Sequence, residues 1–237
     1  PYNDKSKLKP ETIEWIKTII EQAKDERKTI LTFMHGAFLE TFEGEATHFP
    51  EHLMENANEV ANTLANLGLK VVFTGHNHIQ DITEYISDEG NKITQVETGS
   101  LLAYPNPFRI IELKTNQQLS IKSRTFSQFY MGSEGANFES TSKSEFSKHY
   151  SVYINNILSS RFNVTGDLLT IGTNSATEVG CIHSKGDEVR PDDNSWIGIG
   201  MLKGNKGSVR EAGVMLEKMD TDKFPPDNNF TLYLSGN

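Results

Sequence analysis

The sequence predicts a mixed α+β fold, and three observations lead to that class. Short apolar runs rich in β-branched and aromatic residues, at 29–34 and 71–74, alternate with segments whose apolar residues recur at helical spacing. Paired runs with turn residues between them follow and read as hairpins. Near Met131 the composition shifts toward Ser, Gly and Glu, and helical stripes then dominate. We therefore expect a first segment, residues 1–131, carrying the sheets, and a mainly helical accessory extension, residues 132–237.

In chain order, Pro10 suits the first turn of a helix that continues through Ile13, Ile16, Ile19, Ile20 and Ala23. A strand ending at His35 comes next, followed by Gly36 and a loop through residue 48 that holds Phe38, Phe42 and three glutamates. A second helix is expected from Pro50, carrying Leu53, Ala57, Val60, Ala61 and Leu64, with Gly68 as its stop. The strand closing at Gly75-His76 follows at once. Hairpins are predicted at 82–86 with 92–97, turning at 87–91, and at 109–113 with 119–123, turning at 114–118. Residues 132–142 read as a linker, and Phe146, Tyr150, Tyr153, Ile154, Ile157 and Leu158 form a helical stripe. Helices at 176–183 and 209–219 and a short strand after Pro225-Pro226 complete the prediction.

Composition narrows the class of partner. The formal charge of −9, with no basic cluster, argues against a nucleic-acid surface. The single cysteine, Cys181, excludes an internal disulfide and a thiol-paired zinc ribbon. No apolar run has the length of a transmembrane segment.

The chemistry concentrates at Gly75-His76-Asn77-His78. In an extended segment residues i and i+2 point the same way, about 7 Å apart at Cα, and Gly75 presents no Cβ to a close neighbour. His35 ends the other apolar strand. Three histidines at the ends of two strands suggest metal ligands, since neutral imidazoles suit Zn, Fe and Mn alike.

A strand ending in Gly-His-x-His, with a strand ending in Met-His about 40 residues earlier, resembles the last two motifs of the calcineurin-like metallophosphoesterases. The resemblance implies the C-terminal half of a helix-flanked two-sheet αββα sandwich. It also implies two divalent metal ions (Zn, Fe or Mn), with His35 and His76 on one and His78 on the other. Gly99 and Ser100, in the turn after the run 93–97, would lie near substrate, as would His48. The family's earlier motifs, Asp-x-His, Gly-Asp and Gly-Asn-His, have no counterpart ahead of His35. The opening Pro1-Tyr2-Asn3-Asp4 lacks an initiator Met and a signal peptide, so we expect an internal start and a missing N-terminal half of the catalytic domain.

Gly186-Asp187-Glu188 and Asp227-Asn228-Asn229 are similar to elements in the helical extension of some secreted bacterial relatives, which implies an extracytoplasmic location. The activity so implied is metal-dependent hydrolysis of a phosphomonoester or phosphodiester, with a nucleotide or cyclic nucleotide as candidate substrate. The segment by itself is expected to be nearly inactive. Two other readings stand beside it: a mononuclear hydrolase using the three histidines, and a non-catalytic binding module derived from the family. His52, like His48 on bare sequence, reads as a solvated surface histidine, His183 as a packing or surface residue, and Asp187 and Glu188 as turn residues.

Overall fold

The structure, a computed structural model, describes residues 6–128, 138–186, 188, 193–221 and 225–234. These form α1 (Pro10–Asp25), β1 (Thr32–Phe33), α2 (Glu45–His48), α3 (Ala57–Asn66), β2 (Val71–Thr74), β3 (Asp81–Ile86) and β4 (Lys92–Glu97). Then come β5 (Pro107–Leu113), β6 (Gln118–Thr125), α4 (Phe138–Ser160), α5 (Gly166–His183), α6 (Asp193–Lys203), α7 (Gly207–Met219) and β7 (Asn229–Tyr233). The class is α+β.

The first sheet has the order β1-β2-β4-β3, with β1, β2 and β4 parallel and β3 returning antiparallel to β4. β2 is central, and all four of its residues are buried. One face of this sheet, with Val72 and Ile93, packs under Ile20 of α1 and Val60 and Leu64 of α3. The other face offers Val71, Phe73, Ile82 and Val96 to Leu119 and Ile121 of a second, antiparallel sheet ordered β5-β6-β7. Alternation along β2 thus feeds two different cores, as burial on both faces of a central strand requires. The third strand of the second sheet, β7, comes from the far end of the chain.

Helices α4 to α7 build a separate apolar cluster around Ile154, Leu158, Val179, Ile199 and Leu216. Phe42 and Phe49, from the loop that follows β1, are buried in it. The glycine in Gly198 lets α6 approach α5: a Cβ there would strike the Ser175 side chain. That close crossing explains α6, which its glycines concealed from a periodicity reading.

Several boundaries differ from expectation. The strand before His35 spans only two residues, with Phe33 67% exposed, because β1 is a sheet edge with one neighbour. Residues 50–56 are not helical. Pro50 instead follows the single turn α2, and α3 begins at Ala57. Tertiary bonds hold this stretch: the Gln95 side-chain oxygen accepts the N–H groups of Phe38 and Leu39, and Met54 donates its N–H to Ala37. The predicted linker lies largely outside the described residues, but residues 138–142 belong to α4. Among the described residues no helix is long and apolar enough to cross a membrane.

Candidate functional site

The parallel pairing of β1 with β2 brings two of the predicted histidines together. Thr32 and Phe33 register with Val72 and Phe73, so both chains leave the sheet side by side, and Gly75 donates its N–H to the His35 carbonyl. His76 Nδ1 then lies 3.1 Å from His35 Nε2, with the rings edge to face at 5.0 Å. Both side chains are exposed. Partial desolvation of the ring against the strand ends, and secondarily the charge of His35, holds the His76 imidazole below its ordinary proton affinity, which favours the neutral, metal-competent form.

His78 leaves the strand direction. Its φ is +60°, the left-handed region, so the extended i, i+2 relation assumed from sequence does not hold across Asn77. Its side chain lines a cavity of about 200 Å³ together with His52, Tyr150 and Tyr153. Gly99 sits beneath: a Cβ at Gly99 would lie 3.1 Å from the His78 carbonyl oxygen, and the Gly99 N–H is donated to Gln80 Oε1 at 2.9 Å. Ser100 shapes the same turn, its hydroxyl accepting the Leu102 N–H. His48 points elsewhere. Its ring rests on Phe162 at 5.7 Å and its carbonyl accepts from Arg161, and burial lowers its proton affinity. It does not line the cavity beside His78.

The ends of β2 and β4 behind the histidines carry unusual chemistry. Thr74 and Glu97 are register partners on parallel strands, and both are buried. Glu97 Oε1 accepts the Asn77 N–H at 2.7 Å, while Glu97 Oε2, Asn77 Oδ1 and Thr74 Oγ1 find no partner among the described residues. Burial, reinforced by the charge of Glu45, pushes the Glu97 carboxyl up to about 8. Asp81 is raised well above the carboxylate range by burial and then by Asp227. Arg109 ties these strand ends to the second sheet, donating to the carbonyls of Glu97 at 2.7 Å and Asp227 at 2.5 Å.

Four residues that sequence reasoning set aside are built into the same region. Glu45 is fully buried, and its Oε2 accepts both the N–H and the hydroxyl of Thr41, at 2.7 and 3.0 Å. Its Oε1 faces His52 Nδ1 at 2.9 Å, and the His52 ring stacks on Phe49 at 4.9 Å. His52 is therefore not a solvated surface residue. His183 takes the packing alternative of its sequence reading, since it is buried, and Glu188 is not a solvated turn group. They form a buried pair, Nδ1 to Oε1 at 2.6 Å, and His183 Nε2 lies 3.3 Å from Thr41 Oγ1. Burial alone would lower the His183 proton affinity, but the bond and charge of Glu188, with Glu45 and Asp227 behind, raise it. Asp187 lies outside the described residues. The only sequence signal for this group was three glutamates in an aromatic loop; the link from Thr41 to His183 spans 142 residues of chain.

Two imidazole nitrogens 3.1 Å apart suit neighbouring positions on one ion with bonds of about 2.0–2.1 Å. Among the described residues no three His, Cys, Asp or Glu side chains gather at metal-holding distance. The His35–His76 pair thus fits part of a ligand set. No protein-family model and no curated protein sequence matches this chain.

Proposed function

We propose that residues 1–237 are the C-terminal part of a dinuclear metallophosphoesterase that hydrolyses a phosphomonoester or phosphodiester. The observation that carries this reading is the 3.1 Å approach of His35 and His76 at the ends of two adjacent parallel strands. His35 and His76 would hold one divalent ion and His78 the other, with the remaining ligands supplied by the preceding half of the catalytic domain. Such ions polarise phosphoryl oxygens and bring bound water toward ionisation at neutral pH. The chain's own contribution is to keep His76 neutral, to aim it through the Gly75 contact with His35, and to wall the adjoining cavity with Phe42, Phe49 and Tyr150.

A second observation supports the missing half. The edge strand β1 carries Phe33 in the open, and Trp15 on α1 is 61% exposed. Unpaired edges and exposed aromatic surface of this kind are covered in stable assemblies. A further sheet strand and helix from the preceding segment would cover them.

The test is metal-dependent hydrolysis of an aryl phosphate by the complete polypeptide, compared with residues 1–237 alone. We expect turnover by the first, its loss in His76→Ala, and almost none by the second. Robust turnover by residues 1–237, abolished by His76→Ala, would sink the two-halves reading and favour a self-contained site. An inactive complete polypeptide would remove the enzymatic reading.

A further inference from the structure

A single chain of hydrogen bonds runs from the C-terminal helices to the histidine face. It begins at Glu188 Oε1, passes His183 by Nδ1 and Nε2, continues through the Thr41 hydroxyl to Glu45 Oε2, and leaves from Glu45 Oε1 to His52 Nδ1. The proton directions are fixed by valence. The Thr41 hydroxyl has one hydrogen and gives it to Glu45, so it can only accept from His183 Nε2–H. Facing a carboxyl at 2.6 Å on its other side, His183 donates from both nitrogens. Glu45, receiving two bonds from Thr41, turns its second oxygen to His52 and accepts there.

His52 is consequently held in one orientation. Nδ1 is committed to a fully buried carboxyl, the ring is flat against Phe49 with an interplanar angle of 14°, and its side chain is 24% exposed. Nε2 has no protein partner among the described residues, and the residue lines the cavity that His78 also lines. An imidazole fixed by a buried carboxyl at one nitrogen and open at the other is the arrangement of a general acid–base group.

Resting on the phosphoesterase reading above, we propose that His52 is the proton donor to the leaving group, with Glu45 and the His183–Glu188 pair as its positioning residues. As the bond between phosphorus and the leaving oxygen breaks, water adds to phosphorus and gives one proton to solvent. The departing oxygen takes the Nε2 proton of His52, and solvent returns a proton to the neutral imidazole. The C-terminal helices are on this view part of the catalytic apparatus, since they supply the far end of the chain of bonds.

The decisive experiment uses the complete polypeptide with two substrates of one phosphoester type, an alkyl ester and a 4-nitrophenyl ester. The alkyl leaving group needs a proton and the nitrophenolate does not. His52→Gln should lose about 10²-fold or more in kcat on the alkyl ester and only a few-fold on the nitrophenyl ester. Glu45→Gln and His183→Gln should show the same split in weaker form, which a general loss of folding would not produce. Ring-nitrogen NMR of His52 in the 237-residue chain provides a second readout: a bonded Nδ1–H that Glu45→Gln shifts. An active enzyme in which His52→Gln affects both esters equally, or an Nδ1 signal indifferent to Glu45, overturns the role of His52 alone. A wild type inactive on both esters overturns the phosphoesterase reading and this role with it.

Discussion

Asp227 Oδ1 accepts the backbone N–H of Ile82 at 2.9 Å, joining the approach to the last strand, β7, to the first residues of β3 across 145 positions of sequence. The carboxyl group is wholly buried, and Arg109 holds the Asp227 carbonyl from the other side. Replacement by Ala leaves a buried amide without its acceptor, which costs about 1–3 kcal/mol. Asp227→Asn keeps an oxygen for Ile82 and removes a charge that faces Asp81. We expect urea denaturation to show a clear loss for the Ala variant and little or none for Asn. Equal losses would mean that the charge, not the hydrogen bond, is what matters.

Stability should fall as pH rises through neutrality. A Glu97 carboxyl ordinarily ionising near 4.5 is held protonated to about 8 in the fold, so between those values the native state binds the extra proton and loses about 5 kcal/mol as pH climbs. His183 acts in the same direction. Its raised affinity stabilises the fold below 6.5 and that contribution disappears as pH passes the folded value. Thermal melts across this range should slope downward, and Glu97→Gln, which cannot ionise, should flatten the slope. A Gln variant with the wild-type slope would exclude Glu97 as its source.

Gly186→Ala should be severely destabilising. Gly186 has φ +70°, and an added Cβ would collide with the Gln80 carbonyl and the Asp227 side chain. Left-handed strain costs about 1–3 kcal/mol by itself, and a backbone collision adds to it. Gly90 has φ +82° with open space around it, so Gly90→Ala isolates the strain. Denaturant midpoints should therefore drop for both, and much further at 186.

Removing the Glu45 side chain should cost several times what removing His52 does. Glu45→Ala strands the Thr41 N–H, the Thr41 hydroxyl and His52 Nδ1 together, and breaking a buried charged network costs about 3–5 kcal/mol. His52→Ala leaves Glu45 its two bonds from Thr41. Chemical denaturation of the two variants reads the difference directly, and similar losses would show that Glu45 is supported mainly by His52.

Residues 1–237 alone should bind a hydrophobic dye, and Phe33→Lys should reduce it. Phe33 stacks on Phe73 at 4.9 Å from the open edge of the sheet, where an inserted charge opposes edge-to-edge association. Dye fluorescence and light scattering are the measurements. Unchanged signals would locate the exposed apolar surface elsewhere.

Local pattern alone made much of the fold legible. Apolar spacing marks α1, α4 and α7, the Gly90 turn marks the β3–β4 hairpin, and the glycine-flanked apolar runs mark the strands that carry His35 and His76. Each of these depends on residues within a turn or two of one another, so the one-dimensional chain carries the information. The same pattern nominated His35 and His76, because a histidine at a strand end is visible without knowing the neighbours. Only the tertiary structure decided that the two meet at 3.1 Å, that His78 turns away with positive φ, and that His48 faces the C-terminal helices. It alone joined Glu45, His52, His183 and Glu188 into one largely buried chain of hydrogen bonds. The reason is physical: the cost of burying a carboxyl or an imidazole is set by the partner it meets there, and those partners come from segments that sequence spacing does not relate.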